Sequence, residues 1–486
     1  MSYLGIDLGT SAVKISLLDS EANIVRSVTA DYPLSFPYPG YVEQDPADWW
    51  RVIKSEVQKL LQESGCDQLA AIGVGGQMHG LVALDRNGQV IRPAILWNDT
   101  RTEVETAFLN EQVGKAELIS ATGNIAYAGF TAPKLLWLKK HEPENFARLA
   151  HVLLPKDYIV YMLTGEFSTD FSDASGTLLL NVAAGSWSDK MCRLCLPDKN
   201  VLPRLHESSE VVGEIRPEIQ CAWGLKNLPR VVAGAGDNAA AAIATATVNE
   251  GDCNISLGTS GTVFMPLNKF RQDAQAGLHA FADASGKYHF LGCTLSAASC
   301  YKWWTENIIG EENRSGQPAE EKFLHNSVYF MPYLMGERSP LNDTTVRAGF
   351  LGLTAGTVRQ EMLVAIYEGV AFSIKDCIEV AENLGIRVTA STLVGGGAKS
   401  ELWCQIMADV LQLPLTKPEG ERGAGYGAAL LAYAGFNKVA PAAIAKAKMV
   451  AGKVFYPRAA EDGYYKNKYK NYRELYPALR EFYRNL

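Results

Sequence analysis

The chain has 486 residues, 47% of them hydrophobic, and a formal net charge of -7 at pH 7. At roughly 100–200 residues per domain, this length provides two or more domains with substantial cores. The mixed charges exclude a basic groove for nucleic acid, and the apolar runs stay well short of the ~18 residues of a membrane span. We therefore expect a globular protein with neither nucleic-acid nor membrane partners.

Nine cysteines are scattered along the chain, and its first ten residues lack the basic and apolar segments of a secretion signal. An odd number of dispersed cysteines fits reduced thiols better than a disulfide framework, so we expect a cytoplasmic protein. Cys192 and Cys195 form one CxxC without a second pair at zinc-ligand spacing. We interpret them as ordinary, partly buried thiols.

The first 77 residues predict strands and a helix in the order β-β-β-α-β. Two short apolar runs flank the Gly9–Thr10 turn, and a third follows soon after. Asp45 is a good N-cap and Pro46 suits the first helical position, so a helix begins there and Gly65 can end it. A buried strand over Leu69–Gln77 completes a pattern that is typical of an α/β fold.

The second half of the chain repeats this beginning. The letters LGTS occur at Leu8–Ser11 and again at Leu257–Ser260, each time between two apolar runs. Apolar spacing predicts a long helix over Glu361–Gly385, and small residues at 423–435 predict a helix able to pack closely. The Tyr- and Lys-rich segment 461–486 predicts a surface helix.

The break between the two halves is placed near Thr245–Asn249. It falls between an Ala-rich helix and the second strand–turn–strand. We therefore predict two domains, 1–245 and 246–486.

Both LGTS turns have the features of a phosphate-binding loop. Glycine lets the backbone approach a ligand, and exposed N–H groups with a hydroxyl can cradle phosphate oxygens. The first turn offers Gly9, Thr10 and Ser11, and the second offers Gly258 and Thr259. Two such turns facing each other could hold one polyphosphate, although two unrelated hairpins remain an alternative on this feature alone.

Asp7 stands one residue before the first LGT turn. A carboxylate beside a phosphate-binding turn would repel a bare polyphosphate, but it suits a partly hydrated Mg²⁺ between the two. We favour this metal role over that of a turn-initiating aspartate.

Asp237 and Asn238 follow a buried strand and begin a predicted helix. A carboxylate at this end of a strand lies where open α/β sheets bind ligands, and it could take a proton from an attacking alcohol. Gly234, Gly236 and Ala239 also match a dinucleotide GxGxxA. That match is weak because it lies mid-chain and no acidic residue ends a strand ~20 residues on.

Met78 and His79 lie just past the strand that ends near Gln77. A histidine there could hydrogen-bond a sugar hydroxyl, although a lone histidine is often structural. The polar residues of 96–101 would suit a polyol in the same way.

Gly396 and Gly397 follow a predicted strand and lead into a helix that includes Glu401. Bare backbone at this place suits an adenosine moiety. The chain contains no GxxxxGK[ST] sequence, which excludes a P-loop kinase.

Together these segments resemble the FGGY family of carbohydrate kinases, from Tyr3 to about Ala434. The resemblance is carried by the following stretches: GIDLGTS, GQMHG, GFTAPKLLWLKKHEPE, LPKDY, SDASGT, GAGDNAA, SLGTSG, GFLGLT and GGGAKSE. The loop Gly123–Phe130, on the sugar side, and the segment after about Gly435 match less well.

The resemblance implies two actin-like (ribonuclease H-like) domains around a central cleft, each a mixed sheet with helices on both faces. It implies ATP and Mg²⁺ as cofactors and transfer of the γ-phosphoryl group to the 5-hydroxyl of D-xylulose. Ribulose, gluconate or another small polyol or sugar acid remains an alternative acceptor. The oligomeric state is open, a homodimer being possible.

The resemblance also assigns roles to individual residues. Asp237 would be the general base, and Met78, His79 and Asn238 would line the ketose site with it. Asp7 would hold Mg²⁺ through water. ATP would be bound by three groups of residues: the first turn (Gly9, Thr10 and Ser11), the second turn (Gly258 and Thr259), and the glycine segment with the following helix (Gly396, Gly397 and Glu401). A non-catalytic ATP-binding sensor, an actin-like chaperone relative and an NAD-dependent oxidoreductase are the alternatives from other classes.

Overall fold

A computed structural model gives the structure of the chain and describes residues 1–310, 321–420 and 422–486. The strands of the N-terminal half are β1 (Ser2–Leu8), β2 (Ala12–Leu18), β3 (Ile24–Asp31), β4 (Glu43–Gln44), β5 (Leu69–Gly76), β6 (Val82–Leu84), β7 (Ala94–Ile95), β8 (His151–Leu153), β9 (Ser168–Asp170), β10 (Leu180–Asn181), β11 (Ser186–Trp187), β12 (Arg204–His206), β13 (Val211–Glu214), β14 (Arg230–Val232) and β15 (Ala235–Gly236). Its α-helices are α1 (Pro46–Glu63), α2 (Glu103–Ala107), α3 (Lys115–Thr122), α4 (Thr131–His141), α5 (Pro143–Arg148), α6 (Pro155–Thr164), α7 (Phe171–Ser175), α8 (Asp189–Cys195), α9 (Pro217–Trp223) and α10 (Asp237–Ala244). A π-helix spans Phe108–Gly114 and a 3₁₀ turn spans Lys199–Val201.

The C-terminal half is built in the same way. Its strands are β16 (Asp252–Leu257), β17 (Gly261–Leu267), β18 (His279–Ala282), β19 (Tyr288–Thr294), β20 (Tyr329–Met331), β21 (Gly349–Leu351), β22 (Ala390–Val394), β23 (Leu415–Thr416) and β24 (Val454–Phe455). Its α-helices are α11 (Ala298–Trp303), α12 (Arg359–Asn383), α13 (Glu401–Leu411), α14 (Ala424–Asn437), α15 (Pro441–Lys448) and α16 (Asp462–Arg484). A π-helix spans Trp304–Ile308, and 3₁₀ turns span Glu321–Phe323 and Gly396–Lys399.

The N-terminal sheet has the strand order β13-β14-β5-β1-β2-β3, with β15 also paired to β5. β1 and β2 form an antiparallel hairpin, whereas β5 runs parallel to β1 and to β14. The predicted order β-β-β-α-β is confirmed for this sheet, while the two-residue strand β4, which was not predicted, lies between β3 and α1 and pairs with β7. The Asp45 side chain caps α1 by accepting a hydrogen bond from the Ala47 N–H (2.9 Å). The first LGTS turn, which is predicted to bind phosphate, joins β1 to β2.

The C-terminal sheet repeats this arrangement in the order β18-β19-β17-β16-β22-β23-β24. β16 and β17 form the hairpin, and β22 runs parallel to β16 as β5 does to β1. The two LGTS segments therefore occupy equivalent corners of two mixed sheets. The α/β prediction is confirmed.

Side-chain alternation along β1 gives the N-terminal sheet two buried faces. Leu4 and Ile6 point to the face covered by α1, where they join the core that contains Trp49. Tyr3 points to the opposite face and joins the core that contains α14. Helices on both faces are what a sheet with parallel central strands requires.

Helix α14 belongs to the second half of the chain but packs on β1, β5 and α10 of the first half. Its small residues make this close approach possible, as the sequence predicted. A Cβ on Gly427 would lie 1.8 Å from the Ala240 carbonyl oxygen, and a Cβ on Gly5 would lie 2.0 Å from the Gly425 carbonyl oxygen. The domain boundary at 245/246 stays a prediction. Helix α14 follows this boundary in the sequence but packs on the first half of the chain.

The last helix, α16, is more than the predicted surface helix, because one side of it is buried on the C-terminal core. Lys468 donates to Glu368 of α12 (2.6 Å), and the Tyr469 hydroxyl donates to Asp376 of the same helix (2.6 Å). Within residues 1–310, 321–420 and 422–486, no helix is both long and apolar enough to cross a membrane.

Candidate active site

The first turn, Gly9–Ser11, is held by polar side chains from two distant loops. Gln44 donates through Nε2 to the Thr10 carbonyl oxygen (2.8 Å), and Trp97 donates through Nε1 to the Thr10 Oγ1 (2.9 Å). Gln77 in turn donates to the Gln44 Oε1 (3.2 Å). Because Oγ1 accepts from Trp97, the Thr10 hydroxyl keeps its own proton to donate. The sequence indicated polar residues at 96–101 but did not predict that Trp97 positions this turn.

Asp7 and Asp237 lie at the same edge of the N-terminal sheet. Asp7 on β1 pairs with Gly75 on β5, and Gly75 pairs with Ala235 on β15, two residues before Asp237. Burial raises the pKa of Asp7 to about 7, and the negative charge of Asp237 contributes to the rise. The structure thus brings the predicted base and the predicted metal-binding carboxylate together.

Asp7 and Asp237 are too few to hold a metal by protein ligands alone, but they suit a magnesium ion that also binds water and phosphates. No group of three or more His, Cys, Asp or Glu side chains that could hold a metal occurs in the part of the chain that the structure describes. Mg²⁺ usually keeps several waters and uses one or two carboxylates together with substrate phosphates. The residues present therefore fit Mg²⁺ that arrives with a nucleotide.

Asp237 is the first residue of α10 and keeps partial solvent exposure as a residue. Asn238 donates to its Oδ1 from the backbone N–H (2.7 Å) and from Nδ2 (2.9 Å). Burial raises the pKa of Asp237 to about 6, while these hydrogen bonds oppose the rise. Among the described residues both hydrogen bonds reach Oδ1, which leaves Oδ2 for an acceptor alcohol.

A buried ionic cluster lies behind Asp237, built from the LPKDY and SDASGT stretches. Lys156 is fully buried and its Nζ contacts Asp157 Oδ1 (2.6 Å), Asp170 Oδ1 (2.9 Å) and Asp173 Oδ2 (3.8 Å). Burial and the charges of Asp157 and Asp170 raise the pKa of Asp173 well above its usual range. One lysine thus serves three buried carboxyl groups, and Asp173, which lies farthest from the Lys156 Nζ, has a strongly raised pKa.

Short helix α7 connects this cluster to β15, which directly precedes the predicted base Asp237, and to the predicted sugar histidine. Ser172 donates from Oγ to Asp170 Oδ2 (2.5 Å) and accepts from the Gly236 N–H (3.1 Å). The carbonyl oxygen of Gly176 accepts from His79 Nδ1 (2.7 Å). Sequence reasoning missed these positioning residues, although the two quoted stretches contain most of them.

His79 is buried and holds an unusual backbone conformation, with φ at +71°. Because a carbonyl only accepts, the contact with Gly176 places the ring proton on Nδ1 and the lone pair on Nε2. Burial lowers the pKa of His79 to about 3, so the ring stays neutral. The Lys134 Nζ donates to the His79 carbonyl oxygen (2.9 Å), which fixes the backbone. Met78 packs on Gly236, where a Cβ would lie 2.9 Å from its Cγ.

Residues of both halves of the chain pack around His79. Phe130 stacks on His79 with ring centroids 4.5 Å apart, and Phe281 of β18 lies 6.2 Å from the same ring. The loop Gly123–Phe130 docks on the second half, since the Tyr127 hydroxyl donates to Asn342 Oδ1 (2.7 Å). The loop that resembles the family least therefore joins the two halves.

The second turn, Gly258–Ser260, is tied to the start of α11. The Ala298 N–H donates to the Gly258 carbonyl oxygen (2.8 Å), and the Ala297 N–H donates to that of Thr259 (2.9 Å). Cys293 of β19 pairs across the sheet with Thr262, just past this turn. Burial raises the pKa of the Cys293 thiol, and the charge of Asp237 adds to the rise. Both turns thus belong to elements that come close to Asp237.

Gly396 and Gly397, predicted to border the nucleoside, and Glu401, predicted to bind ATP, differ in their surroundings. Gly396 is exposed, and a Cβ on it would meet no atom within 4 Å. Gly397 is buried, where a Cβ would lie 2.8 Å from the Leu257 Cβ. Glu401 is exposed and pairs with Lys453 (2.8 Å). Because β22 runs beside β16, this glycine segment adjoins the second turn.

Two mixed sheets with equivalent hairpins, and Asp237 at the same sheet edge as Asp7, indicate the class of protein: a two-domain phosphotransferase with an actin-like fold. Residues 2–244 match the N-terminal domain of the FGGY family of carbohydrate kinases, and residues 253–436 match its C-terminal domain. The chain belongs to this family.

Individual relatives agree with the family assignment. A xylulose kinase from Escherichia coli (strain K12) is 41% identical over 442 residues, which cover 90% of each chain. A crystal structure of a "xyloylose kinase" from Brucella ovis superposes with a TM-score of 0.92 at 37% identity, covering 99% of this chain and 100% of that one. A gluconate kinase from Lactobacillus acidophilus gives 0.91 at 25% identity, covering 98% of each.

Proposed function

We propose that this protein transfers the γ-phosphoryl group of ATP to the 5-hydroxyl of D-xylulose, giving D-xylulose 5-phosphate and ADP. Relatives and structural neighbours named as xylulose kinases support the choice of substrate. The single observation that carries the chemistry is the position of Asp237, which lies at the same sheet edge as Asp7 and directly after Gly236, on which Met78 packs.

The chain's own groups perform most of this reaction by positioning. Asp237 Oδ2 accepts the hydroxyl proton as the acceptor oxygen attacks the γ-phosphorus, and Asn238 keeps the carboxylate oriented. His79 accepts a hydrogen bond from a sugar hydroxyl at Nε2, and Met78 packs beside it. Closing the two halves excludes water, which limits ATP hydrolysis.

The nucleotide would be held by the two turns and the glycine segment. Thr10 and Thr259 donate hydroxyl protons to phosphate oxygens, and the backbones of Gly9, Ser11 and Gly258 approach the same phosphates. Gly396 and Gly397 border the nucleoside, with Glu401 at the start of α13. Asp7 would hold Mg²⁺ through water, and this ion would supply charge neutralisation on the phosphates.

The proposal includes a cytoplasmic location and the division into domains 1–245 and 246–486. None of the nine cysteines forms a disulfide, which supports a reducing compartment. The two family matches end and begin on either side of the proposed boundary.

The test is ADP release with and without sugar, for the wild type and for Asp237→Asn. Wild-type turnover should depend on D-xylulose and exceed that with ribulose, glycerol or D-gluconate. The variant should bind ATP normally and lose about 10²–10⁴-fold in kcat, the usual worth of general-base catalysis. Asp67→Asn, at an exposed ion pair with Lys226, is the control. Near-normal turnover of Asp237→Asn, or a preference for another acceptor, would contradict the proposal.

A further inference from the structure

Arg338 is a residue of the C-terminal half whose backbone is firmly held. It follows β20, and the buried Glu337 accepts from the Arg338 N–H (2.7 Å) and the Leu295 N–H (2.8 Å) through Oε1. The next residue, Ser339, donates its N–H to the Cys293 carbonyl oxygen (3.0 Å). The Arg338 side chain therefore projects from a fixed point beside the end of β19.

The guanidinium of Arg338 reaches the N-terminal half at the wall of the sugar pocket. Its Cζ lies 5.3 Å from the centre of the Tyr127 ring. A Cβ on Gly129 would lie 3.7 Å from its Nη2. The positive charge adds to the burial that lowers the pKa values of His79 and Lys134, so all three groups lie close together.

This guanidinium lacks a counterion. Arg101 and Arg458 each contact an aspartate at 2.7 Å, whereas Arg338 forms no ion pair within residues 1–310, 321–420 and 422–486. The adjacent Glu337 accepts two backbone N–H groups through Oε1 and forms no ion pair with the Arg338 guanidinium. The Tyr127 ring face and the Cys293 thiol are weak partners for a group with five N–H donors.

A partly buried guanidinium with unused donors is costly unless a ligand supplies oxygen acceptors. Asp237 marks the position of the hydroxyl that is phosphorylated. Arg338 lies beside Tyr127 and Gly129, and Gly129 directly precedes Phe130, which stacks on His79. The sugar oxygens left for this wall are those at the other end of the ketose from the phosphorylated hydroxyl.

We propose that Arg338 is a substrate-binding residue that donates hydrogen bonds to the carbonyl oxygen on carbon 2 and the hydroxyl on carbon 1 of the ketose. The proposal rests on the proposed function. It makes a residue of the nucleotide half part of the sugar site. The ketose therefore bridges the two halves, and its binding favours the closed cleft.

The experiment compares D-xylulose with 1-deoxy-D-xylulose, which lacks only the hydroxyl on carbon 1, in the wild type, Arg338→Met and Arg338→Lys. Arg338→Met should raise KM for D-xylulose by about 10–100-fold, the range for a charge-assisted hydrogen bond, and change KM for ATP less than twofold. The wild type should prefer D-xylulose in kcat/KM, and Arg338→Met should reduce that preference to near unity. Arg338→Lys should restore part of it.

Arg347→Gln is the matched control, since Arg347 lies on the same segment and donates to the Thr344 carbonyl oxygen (2.7 Å). Thermal midpoints should be the same for all variants. Equal increases in both KM values, or an unchanged preference between the two ketoses in Arg338→Met, would overturn the assignment of Arg338. If the wild type shows no ketose-dependent ADP release, the proposed function fails instead, which distinguishes the two outcomes.

Discussion

Replacing Lys156 by methionine should destabilise the N-terminal half strongly. The Nζ contacts carboxylates at 2.6 and 2.9 Å, and all three side chains are at most 1% exposed. At an effective dielectric constant of about 20, each contact supplies about 6 kcal/mol of attraction before desolvation is counted. Methionine has a similar volume but leaves two buried carboxylates unbalanced. Breaking a buried pair in this way costs about 3–5 kcal/mol.

The assay is thermal unfolding followed by fluorescence. For an unfolding unit of 150–250 residues, a loss of 3–5 kcal/mol lowers the midpoint by roughly 6–20 °C. The double variant Lys156→Met/Asp170→Asn should recover part of the loss, because it removes one unbalanced charge and keeps an oxygen acceptor for Ser172. Lys226→Met is the control: Lys226 and its partner Asp67 are 67% and 48% exposed, so the effect should be below about 1 kcal/mol. Equal midpoints for Lys156→Met and Lys226→Met would refute the reasoning from burial.

At saturating Mg-ATP, kcat/KM for the ketose should fall tenfold per pH unit below about pH 6, because Asp237 must be ionised to accept a proton and its pKa is raised to about 6. A decline that begins only near pH 4 would indicate an ordinary exposed carboxylate and contradict this prediction. His79, with its pKa lowered to about 3, contributes no decline in this pH range. His79→Asn should raise KM for the ketose by about 2–10-fold and leave KM for ATP unchanged, since asparagine tolerates the positive φ at this position. Equal changes in both KM values would show that His79 has a structural role. Gly427→Ala places a Cβ 1.8 Å from a backbone oxygen and should cost at least about 1–3 kcal/mol in thermal or urea unfolding. Gly463→Ala, which meets open space, should be neutral or slightly stabilising, and indistinguishable midpoints for the two variants would contradict the packing of α14.

The sequence by itself determined the features that depend on neighbouring residues. The hairpins around the two LGTS turns, the capped start of α1 at Asp45 and the position of Asp237 at a strand end all follow from patterns shorter than about 20 residues. The family resemblance then gave the two-domain fold, because its motifs are spread over most of the chain.

Only the tertiary structure decided which distant segments meet. It placed α14 on the first sheet, brought Asp170 and Asp173 of a later segment to Lys156, and brought Arg338 to the Tyr127 ring. These partners are separated by tens to hundreds of residues, and each side chain taken alone is an ordinary glycine, lysine or arginine. Hydrophobic periodicity and motif spacing predict local conformation. The effect of a buried charge or of a glycine depends instead on the atoms packed against it, and these come from distant parts of the chain.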